Sequence, residues 1–593
     1  MIFSYLLTPL LTLTLIISIV VFSFKTEKRQ YKNLPPTPPS LPIIGHLHLV
    51  KPPIHRALHN LSTKYGEIFL LRLGFRRVVV VSSSTIAQEC LTKNDIVFAN
   101  RPHFLLAKHV GYNSSNVVDC SYGEHWRNLR RIGAIEIFSS GRLNLFINSR
   151  RDEVIRLLKK LSCQDSNRVE LKSMFQELTF NIITRMVAGK RYCGDDVANE
   201  EEAKLFRDTL RTFMEFNGAG NAADFLPILN WIPINNFENK VKRLGKTMDS
   251  LLEGLIKEHK SNKDENRMNT VIEHLLSLQD SQPEYYTNEI IKGFVMQSIA
   301  GGTDTSALTL EWAMSNLLNH PHVLQKVKAE IDSEIGQRQL MEESDISKLP
   351  YLQCVISETF RLYPVGPLLV PHYSSNDCNI CGYDVPRDTI LLVNVWAIHR
   401  DPKLWEDAEN FKPERFENIN IENEFGYKLM PFGVGRRSCP GRGLASRVIG
   451  LALGSLIQCF DWEKVDHNKI DMTEGKGLTM PKVVSLEAIY GNVRFETTPV
   501  SLYGTLLPLV DARVGFGSQQ LQLNERDPMI IVEKLLVWRA GAGLELRLNQ
   551  DKFVFSPNLL LSYTYCDDDD DDEFSIRSSS SQFAIVTSFN FYL

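Results

Sequence analysis

One cysteine, Cys439, lies in a glycine-rich loop whose composition suits metal ligation. Glycines flank it on both sides, two arginines precede it, and a mostly apolar run over residues 444–456 follows. Glycine lets the backbone pass close to a flat cofactor, while nearby amide N–H groups, arginines and a helix N-terminus favour the thiolate. An isolated cysteine is more often a buried structural thiol. The loop therefore predicts one thiolate that ligates one metal, with a packed thiol as the alternative.

The loop also matches the pattern Phe-x-x-Gly-x-Arg-x-Cys-x-Gly through Phe432, Gly435, Arg437, Cys439 and Gly441. This pattern resembles the haem-thiolate loop of the cytochrome P-450 family. The resemblance implies that Cys439 ligates the iron of haem b and that Phe432, Arg437 and Gly441 contact the haem, Arg437 at a propionate. A thiolate below haem iron favours O–O cleavage.

A second chemical feature interrupts the apolar helix predicted over residues 290–318. Gly301 and Gly302 cost a helix interior roughly 1 kcal/mol each relative to alanine, so a purely structural helix gains nothing from them. They make room for a small ligand, and Asp304 and Thr305 offer it proton donors; a kinked core helix is the alternative. The stretch resembles the family's distal motif, which implies that Thr305 organises the proton for O–O cleavage, Asp304 relays it from solvent and Gly302 leaves space for dioxygen.

Trp126 and Arg130 are four residues apart and therefore share one helical face. Together they can reach an anionic group, although a solvated basic helix with one buried tryptophan fits equally well. The pair resembles the family's Trp-x-x-x-Arg helix, which implies hydrogen bonds to a haem propionate. Arg127 and Arg131 are predicted to face a redox partner or solvent. His372 matches a position that often contacts a propionate in plant members, with a surface-loop histidine as the alternative.

Glu358 and Arg361 are spaced for a charge pair on one helix, which on a surface contributes only tenths of a kcal/mol. Together with Arg415 they resemble the family's Glu-x-x-Arg and Pro-Glu-Arg-Phe segments. That resemblance implies a buried ionic network that braces the haem-thiolate core. We assign these three residues to structure, since a satisfied network fixes conformation and performs no chemical step.

The substrate pocket is predicted from an apolar turn over residues 365–370 and a second loop over residues 477–480, at places where the family passes substrate. Ordinary packing is the alternative in each case. With the glycines of the distal motif, the predicted pocket residues are Gly301, Gly302, Val365, Leu368, Leu369 and Met480.

The N-terminal region predicts a membrane anchor. Residues 2–24 contain no charged side chain and would span about 34 Å as a helix, against a hydrocarbon core of about 30 Å. Lys25, Lys28, Arg29 and Lys32 follow, which places the rest of the chain in the cytosol. We expect a single-pass anchor of the endoplasmic reticulum membrane, with a basic flank and a stiff proline-rich hinge over residues 25–45.

Charge and cysteine content exclude several classes of protein. The chain of 593 residues has 66 basic and 70 acidic side chains, so nothing indicates a nucleic-acid partner. Ten scattered cysteines lack the density of a disulfide framework and are read as mostly reduced thiols. Cys378 and Cys381 form a CxxC that we interpret as a coincidental pair in a hairpin, because no second pair lies at zinc spacing.

The fold is predicted to be mainly α with small β-sheets, as in the cytochrome P-450 fold, with a catalytic domain over residues 46–490. Residues 67–73 and 77–82 are expected to form hairpin strands, and much of residues 84–345 is helical in period. Residues 491–593 depart from the family as a foreign, acidic tail of unknown role that is predicted to be β-rich or disordered. Its predicted strands cover residues 512–517, 535–548, 552–564 and 583–593, with an acidic loop at residues 567–573.

Taken together, the motifs predict a monooxygenase that hydroxylates a small apolar or phenolic specialised metabolite. Similarity to isoflavone 2'-hydroxylases over residues 120–136 implies a flavonoid-like substrate, with electrons from NADPH through cytochrome P-450 reductase. One alternative is a haem-thiolate isomerase or dehydratase that acts on hydroperoxides without a reductase; Thr305 argues against it. Another is an inactive chimeric product whose tail prevents folding.

Overall fold

The computed structural model describes residues 31–491 apart from short gaps, and four tail strands described as backbone only. The gaps are residues 165, 195–196, 198, 219–220, 228, 230–235, 262–269 and 420–423. Among the described residues no helix is both long and apolar enough to cross a membrane. The predicted anchor over residues 2–24 lies outside them.

Helices form most of the described chain, in agreement with the predicted fold class. Up to the central helix they are α1 (Ile54–Tyr65), α2 (Ser84–Leu91), α3 (Leu105–His109), α4 (Glu124–Ile132), α5 (Ser140–Leu145), α6 (Ile147–Ser162), α7 (Leu171–Ala188), α8 (Glu200–Gly218), α9 (Phe237–Ser261) and α10 (Val271–Ser281). The central helix and those after it are α11 (Asn288–Asn319), α12 (Pro321–Glu334), α13 (Pro350–Leu362), α14 (Val395–Ile398) and α15 (Arg442–Cys459).

The helix α11 is the axis of the core. Its 32 residues begin at a cap in which the Thr287 side chain accepts from the amide of Ile290, and end before Pro321, which disfavours helical geometry at the residue preceding it. Most of its side chains are buried, as expected for a helix that is apolar on all sides. It packs on α7, α13 and α15, and this cluster holds the elements that carry the candidate site.

Small sheets border the helical core. The strands are β1 (Ile68–Leu73), β2 (Arg76–Val81), β3 (Arg168–Glu170), β4 (His372–Tyr373), β5 (Cys378–Ile380), β6 (Tyr383–Val385), β7 (Thr389–Val393), β8 (Asp461–Lys464) and β9 (Glu487–Gly491). The largest sheet has the order β1-β2-β7-β4, with β1 antiparallel and β7 parallel to β2. The predicted hairpin over residues 67–82 is confirmed within a residue or two, and so is the hairpin that carries Cys378 and Cys381.

The described part of the proline-rich hinge lies against the catalytic domain. The Pro36 carbonyl accepts from the amide of Leu70 at 2.8 Å, and Asn33 donates its side-chain amide to the Gly382 carbonyl at 2.7 Å. The segment is not helical, as its prolines predict. These hydrogen bonds hold the described part of the hinge against β1 and the hairpin of β5 and β6.

Two of the tail's predicted strands are present as the antiparallel pair β10 (Gly543–Asn549) and β11 (Lys552–Leu560). A second pair joins β12 (Phe574–Ser575), which the sequence did not predict, to β13 (Ser588–Phe589), inside a predicted strand. The predicted strand at residues 512–517 and the acidic residues 567–573 lie outside the described residues.

Candidate functional site

The loop before α15 presents Cys439 through tight backbone geometry. The amide of Cys439 donates to the Phe432 carbonyl at 2.9 Å, which closes the loop. Gly435 has a φ of 73°, and a Cβ there would lie 2.7 Å from the Leu91 carbonyl oxygen, so this position requires glycine. The Phe432 ring packs edge-on against Phe360 of α13 at 5.0 Å between centroids. These contacts hold the sulfur at the start of α15.

Burial and neighbouring groups shift the pKa of the Cys439 thiol in opposite directions. Burial raises its pKa, whereas the amides of Gly441 and Arg442 and the charge of Arg130 act to lower it. The Cys439 side chain nevertheless keeps accessible surface. In the described part of the chain, no group of three or more His, Cys, Asp or Glu side chains is arranged to hold a metal ion. The donor set therefore fits a single thiolate below a cofactor that brings its own metal ligands.

The stretch of α11 that contains the two glycines also keeps accessible surface. Gly301 is exposed and Asp304 and Thr305 are half-buried, although most of α11 is buried. The Thr305 hydroxyl donates to the Gly301 carbonyl at 2.7 Å and keeps its lone pairs available to accept a proton. This part of the helix combines room with a hydroxyl and an acid, as the sequence predicted.

The prediction that Gly302 leaves space for dioxygen is wrong. A Cβ at Gly302 would lie 2.9 Å from Ile183 of α7, whereas no atom lies within 4 Å of the corresponding position at Gly301. Gly302 is therefore needed for the close approach of α7 to α11. Gly301 is the glycine that provides space.

Asp304 accepts a hydrogen bond at Oδ2 from the Thr479 hydroxyl, at 2.9 Å. Burial raises the pKa of the Asp304 carboxyl, and the Thr479 hydrogen bond and the Lys172 charge act in the opposite direction. A carboxyl whose pKa is raised in this way is better suited to take up and pass on a proton than an ordinary aspartate is.

Trp126, Arg130 and Arg437, predicted to meet an anionic group, lie together beside the cysteine loop. The Arg437 guanidinium lies 4.5 Å from the centre of the Trp126 ring, and Arg130 donates to the Ser438 hydroxyl at 3.3 Å. Trp126 Nε1 donates to the Val117 carbonyl, and Arg437 donates to three backbone carbonyls. Burial lowers the pKa of Arg437 to about 10.

Arg101 lies in the same group of residues, although no motif in the sequence indicates it. It is buried and donates to the carbonyls of Val118, Val370 and Pro371. Burial, and then repulsion from Arg437, lowers its pKa to about 9. No short spacing relates it to the other arginines, so a periodic signal could not have found it. Charged donors that are buried against carbonyls have a desolvation cost that an anionic ligand would offset, so this cluster fits the two propionates of a haem.

His372 is buried, and its Nδ1 donates to the Phe98 carbonyl at 2.9 Å. Burial, followed by repulsion from Arg101 and Arg437, lowers the pKa of the ring to about 3. The imidazole is then neutral, and its Nε2 carries a lone pair. The ring can donate to a propionate only after a second proton has been added, which makes it a weaker candidate than the arginines.

The structure brings the residues of the predicted ionic network together. Glu358 and Arg361 are both fully buried and form two hydrogen bonds of 2.7 and 2.8 Å. Arg415 donates to the same carboxylate at 3.1 Å, and the backbone amide of Lys412 donates to it at 2.8 Å. Arg361 also donates to backbone carbonyls of the segment that leads to the cysteine loop. The network ties α13 to that segment.

The predicted pocket residues after α13 occupy different positions. Leu369 adopts a left-handed conformation with φ of 55°, and its Cδ1 lies 3.8 Å from the Cβ position of Gly433, so it borders the cysteine loop. Leu368 packs against the β1-β2 cluster, and Val365 is buried. Met480 is only 1% exposed and packs in a separate cluster with Trp396, which favours a packing role over contact with substrate.

The chain is similar to known proteins over most of its length. The sequence profile of the cytochrome P450 family matches residues 35–486. Cytochrome P450 81Q32 of Catharanthus roseus is 56% identical over 490 residues, which are 82% of this chain and 96% of the relative. The isoflavone 3'-hydroxylase of Medicago truncatula is 52% identical over 81% of this chain and 96% of its own length. The isoflavone 2'-hydroxylase of Glycyrrhiza echinata is 52% identical over 79% and 94%. A solved structure of a zebrafish cytochrome P450 with progesterone has a TM-score of 0.63 and 25% identity, and covers 74% of this chain and 100% of that one.

Proposed function

Because this chain belongs to the cytochrome P450 family, we propose that it uses NADPH and dioxygen to hydroxylate a small phenolic metabolite of the flavonoid class. It is a plant monooxygenase of the subgroup that includes isoflavone hydroxylases. The observation that carries the proposal is the loop of Cys439, which offers a single accessible thiol, while the described residues contain no group of three or more His, Cys, Asp or Glu side chains that could hold a metal ion.

The residues around the loop would hold the haem. The bound haem supplies the activation of dioxygen at its iron. Cys439 would ligate that iron, and Phe432 and Gly441 would lie against the macrocycle. Arg130 and Arg437, with Trp126 beside them, would bind the propionates together with Arg101. The buried positive charge of this cluster supports the assignment.

Asp304 and Thr305 would deliver protons. Asp304 would hold the proton that its raised pKa favours, and Thr305 would pass it on through its hydroxyl. We expect the Thr305→Ala variant to keep consuming NADPH but to release mainly hydrogen peroxide, so that product formed per NADPH falls about tenfold or more. The measurement is simultaneous quantification of NADPH, peroxide and product. Thr305→Ser keeps the hydroxyl and should resemble the parent; an unchanged product yield in Thr305→Ala would contradict the proton role.

The substrate class is tested by incubation with NADPH, a plant reductase and a panel of flavonoids, isoflavones and phenylpropanoids. The relatives named above and the apolar turn over residues 365–370 support the expectation of singly hydroxylated flavonoid or isoflavone products, identified by mass. Conversion of a fatty acyl hydroperoxide without NADPH, with no product from the panel, would favour the isomerase or dehydratase alternative.

Electrons would come from a flavin reductase that docks on the basic side of the cysteine loop. Arg127 and Arg436 both border the Tyr122 ring, with guanidinium carbons 6.0 and 5.6 Å from its centre, and Arg442 is exposed at the start of α15. Arg436 also pairs with Asp95 at 2.9 Å, so part of its charge is already neutralised. Arg436 would therefore add only part of its charge to the attraction.

The domain organisation completes the proposal. An anchor over residues 2–24 would hold the enzyme in the endoplasmic reticulum membrane, with residues 25–45 as flank and hinge and residues 46–490 as the cytosolic catalytic domain. Residues 491–593 would be an added segment without a catalytic role. The relatives support this division, because they align over 94–96% of their own lengths while leaving about a fifth of this chain unmatched.

A further inference from the structure

A hairpin over residues 474–482 places Thr479 next to the acid of the central helix. Glu474 and Lys482 pair as an antiparallel bridge, and the amide of Gly475 donates to the Pro481 carbonyl at 2.7 Å. At the end of the hairpin, the Thr479 hydroxyl donates to Asp304 Oδ2 at 2.9 Å. A residue that the sequence indicated only as part of a pocket wall thus contacts the residue proposed to handle protons.

The first strand of the hairpin is fixed by the buried carboxylate of Glu474. It accepts from His55 at 2.6 Å, from Arg56 at 2.7 Å and from the indole of Trp396 at 2.8 Å. These donors, which outweigh the effect of burial, lower the pKa of Glu474 to about 2. The hairpin is therefore anchored to α1 and α14 by a charge that persists at physiological pH.

The second strand is tied to α11 itself. The amide of Met480 donates to the Val365 carbonyl at 2.9 Å, and the indole of Trp312 donates to the Met480 carbonyl at 2.8 Å. Trp312 lies about two helical turns after Asp304. Because Thr479 directly precedes this double anchor, its hydroxyl has little freedom to leave the Asp304 carboxyl.

The hydrogen bond from Thr479 contributes to the pKa of the Asp304 carboxyl. Burial favours the protonated carboxyl, and the Thr479 donor is the first of the opposing contributions, ahead of Lys172 on α7. Without the hydroxyl, Lys172 alone would oppose burial, and the carboxyl would keep its proton to higher pH. The loss of a hydrogen bond to a charged group changes an equilibrium by roughly tenfold or more.

We propose that Thr479 is a positioning residue that fixes the orientation and the ionisation of Asp304 for proton delivery. The inference rests on the proposed proton role of Asp304. The hairpin thereby links the anchors on α1 and α14 to the residue proposed to donate the proton.

The test compares Thr479→Val, which keeps the size but removes the donor, with Thr479→Ser, which keeps the donor. The first readout needs no substrate. The infrared band of the protonated Asp304 carboxyl, identified by its loss in Asp304→Asn, is followed as pH is raised. We expect the band to persist to higher pH in Thr479→Val and to titrate as in the parent in Thr479→Ser. Thr479→Ala removes the same donor with less bulk and replaces the valine variant if that one does not fold.

The second readout is product formed per NADPH with an isoflavone, which should fall about tenfold in Thr479→Val and recover in Thr479→Ser. An unchanged infrared titration in both Thr479→Val and Thr479→Ala would overturn the proposal whether or not an isoflavone is the substrate. A changed titration with unchanged product yield would overturn the role in proton delivery. If the parent converts no flavonoid, the proposed function fails, and the infrared titration still decides the role of Thr479.

Discussion

The Cys439→Ala variant should lose all hydroxylation and all thiolate-type haem binding. Cys439 is the only thiol in the glycine loop, and the amides of Gly441 and Arg442 act on its sulfur. Substitution of residues that merely support a metal ligand lowers metal affinity about 10–100-fold, so loss of the ligand itself should exceed that range. The measurement is the carbon monoxide difference spectrum of the reduced protein, together with haem content.

The matched control is Cys459→Ala, at the other end of α15. Cys459 is buried, unlike Cys439, and burial alone raises the pKa of its thiol to about 12, as expected for a packed, unreactive cysteine. This variant should keep the thiolate-type spectrum and most of the activity. A thiolate-type spectrum in Cys439→Ala would refute the assignment of the axial ligand.

The Glu358→Gln variant should lose about 3–5 kcal/mol of the free energy of unfolding, because it leaves the buried Arg361 without a charged partner. That loss is a large fraction of the ~5–15 kcal/mol typical of a folded domain. Arg415 and the amide of Lys412 lose the same acceptor charge, so the segment leading to the cysteine loop should loosen as well. We expect a lower denaturant midpoint and a lower haem content after purification.

A suitable control is Glu177→Gln on α7, where the carboxylate meets Lys160 at 2.8 Å on the surface. Exposed pairs of this kind contribute about 1 kcal/mol or less, since water screens them. The denaturant midpoint should therefore change little in Glu177→Gln. Equal midpoints for the two variants would show that the network around Glu358 does not brace the fold.

Much of the site could be predicted because its residues lie in short segments with local constraints. The loop of Cys439 needs glycine at position 435 for a left-handed turn against Leu91, and such a requirement is visible in sequence. The spacing of Glu358 and Arg361 on one helix likewise encodes their contact. The hairpin over residues 67–82 followed from its β-branched residues.

Contacts between distant segments could not be read from the sequence. Arg101 reaches Val370 across 269 positions, and Thr479 reaches Asp304 across 175. Only the folded chain brings these pairs together. The error at Gly302 has the same origin, because sequence indicates that a helix face needs a small residue and cannot tell whether a ligand or the neighbouring Ile183 requires it. The burial of His372, which keeps its ring neutral, was also invisible in the sequence.

A monooxygenase transfers one oxygen atom of dioxygen to its substrate, here a flavonoid-like compound. Isotope labelling of the dioxygen tests this transfer. The enzyme, a reductase and NADPH are incubated under ¹⁸O₂ with those isoflavones that the enzyme converts in the substrate panel. The masses of the products are determined by mass spectrometry. We expect one ¹⁸O atom in each hydroxylated product, and none when the label is supplied as water. Product oxygen that comes from water, or turnover that needs neither dioxygen nor NADPH, would contradict it.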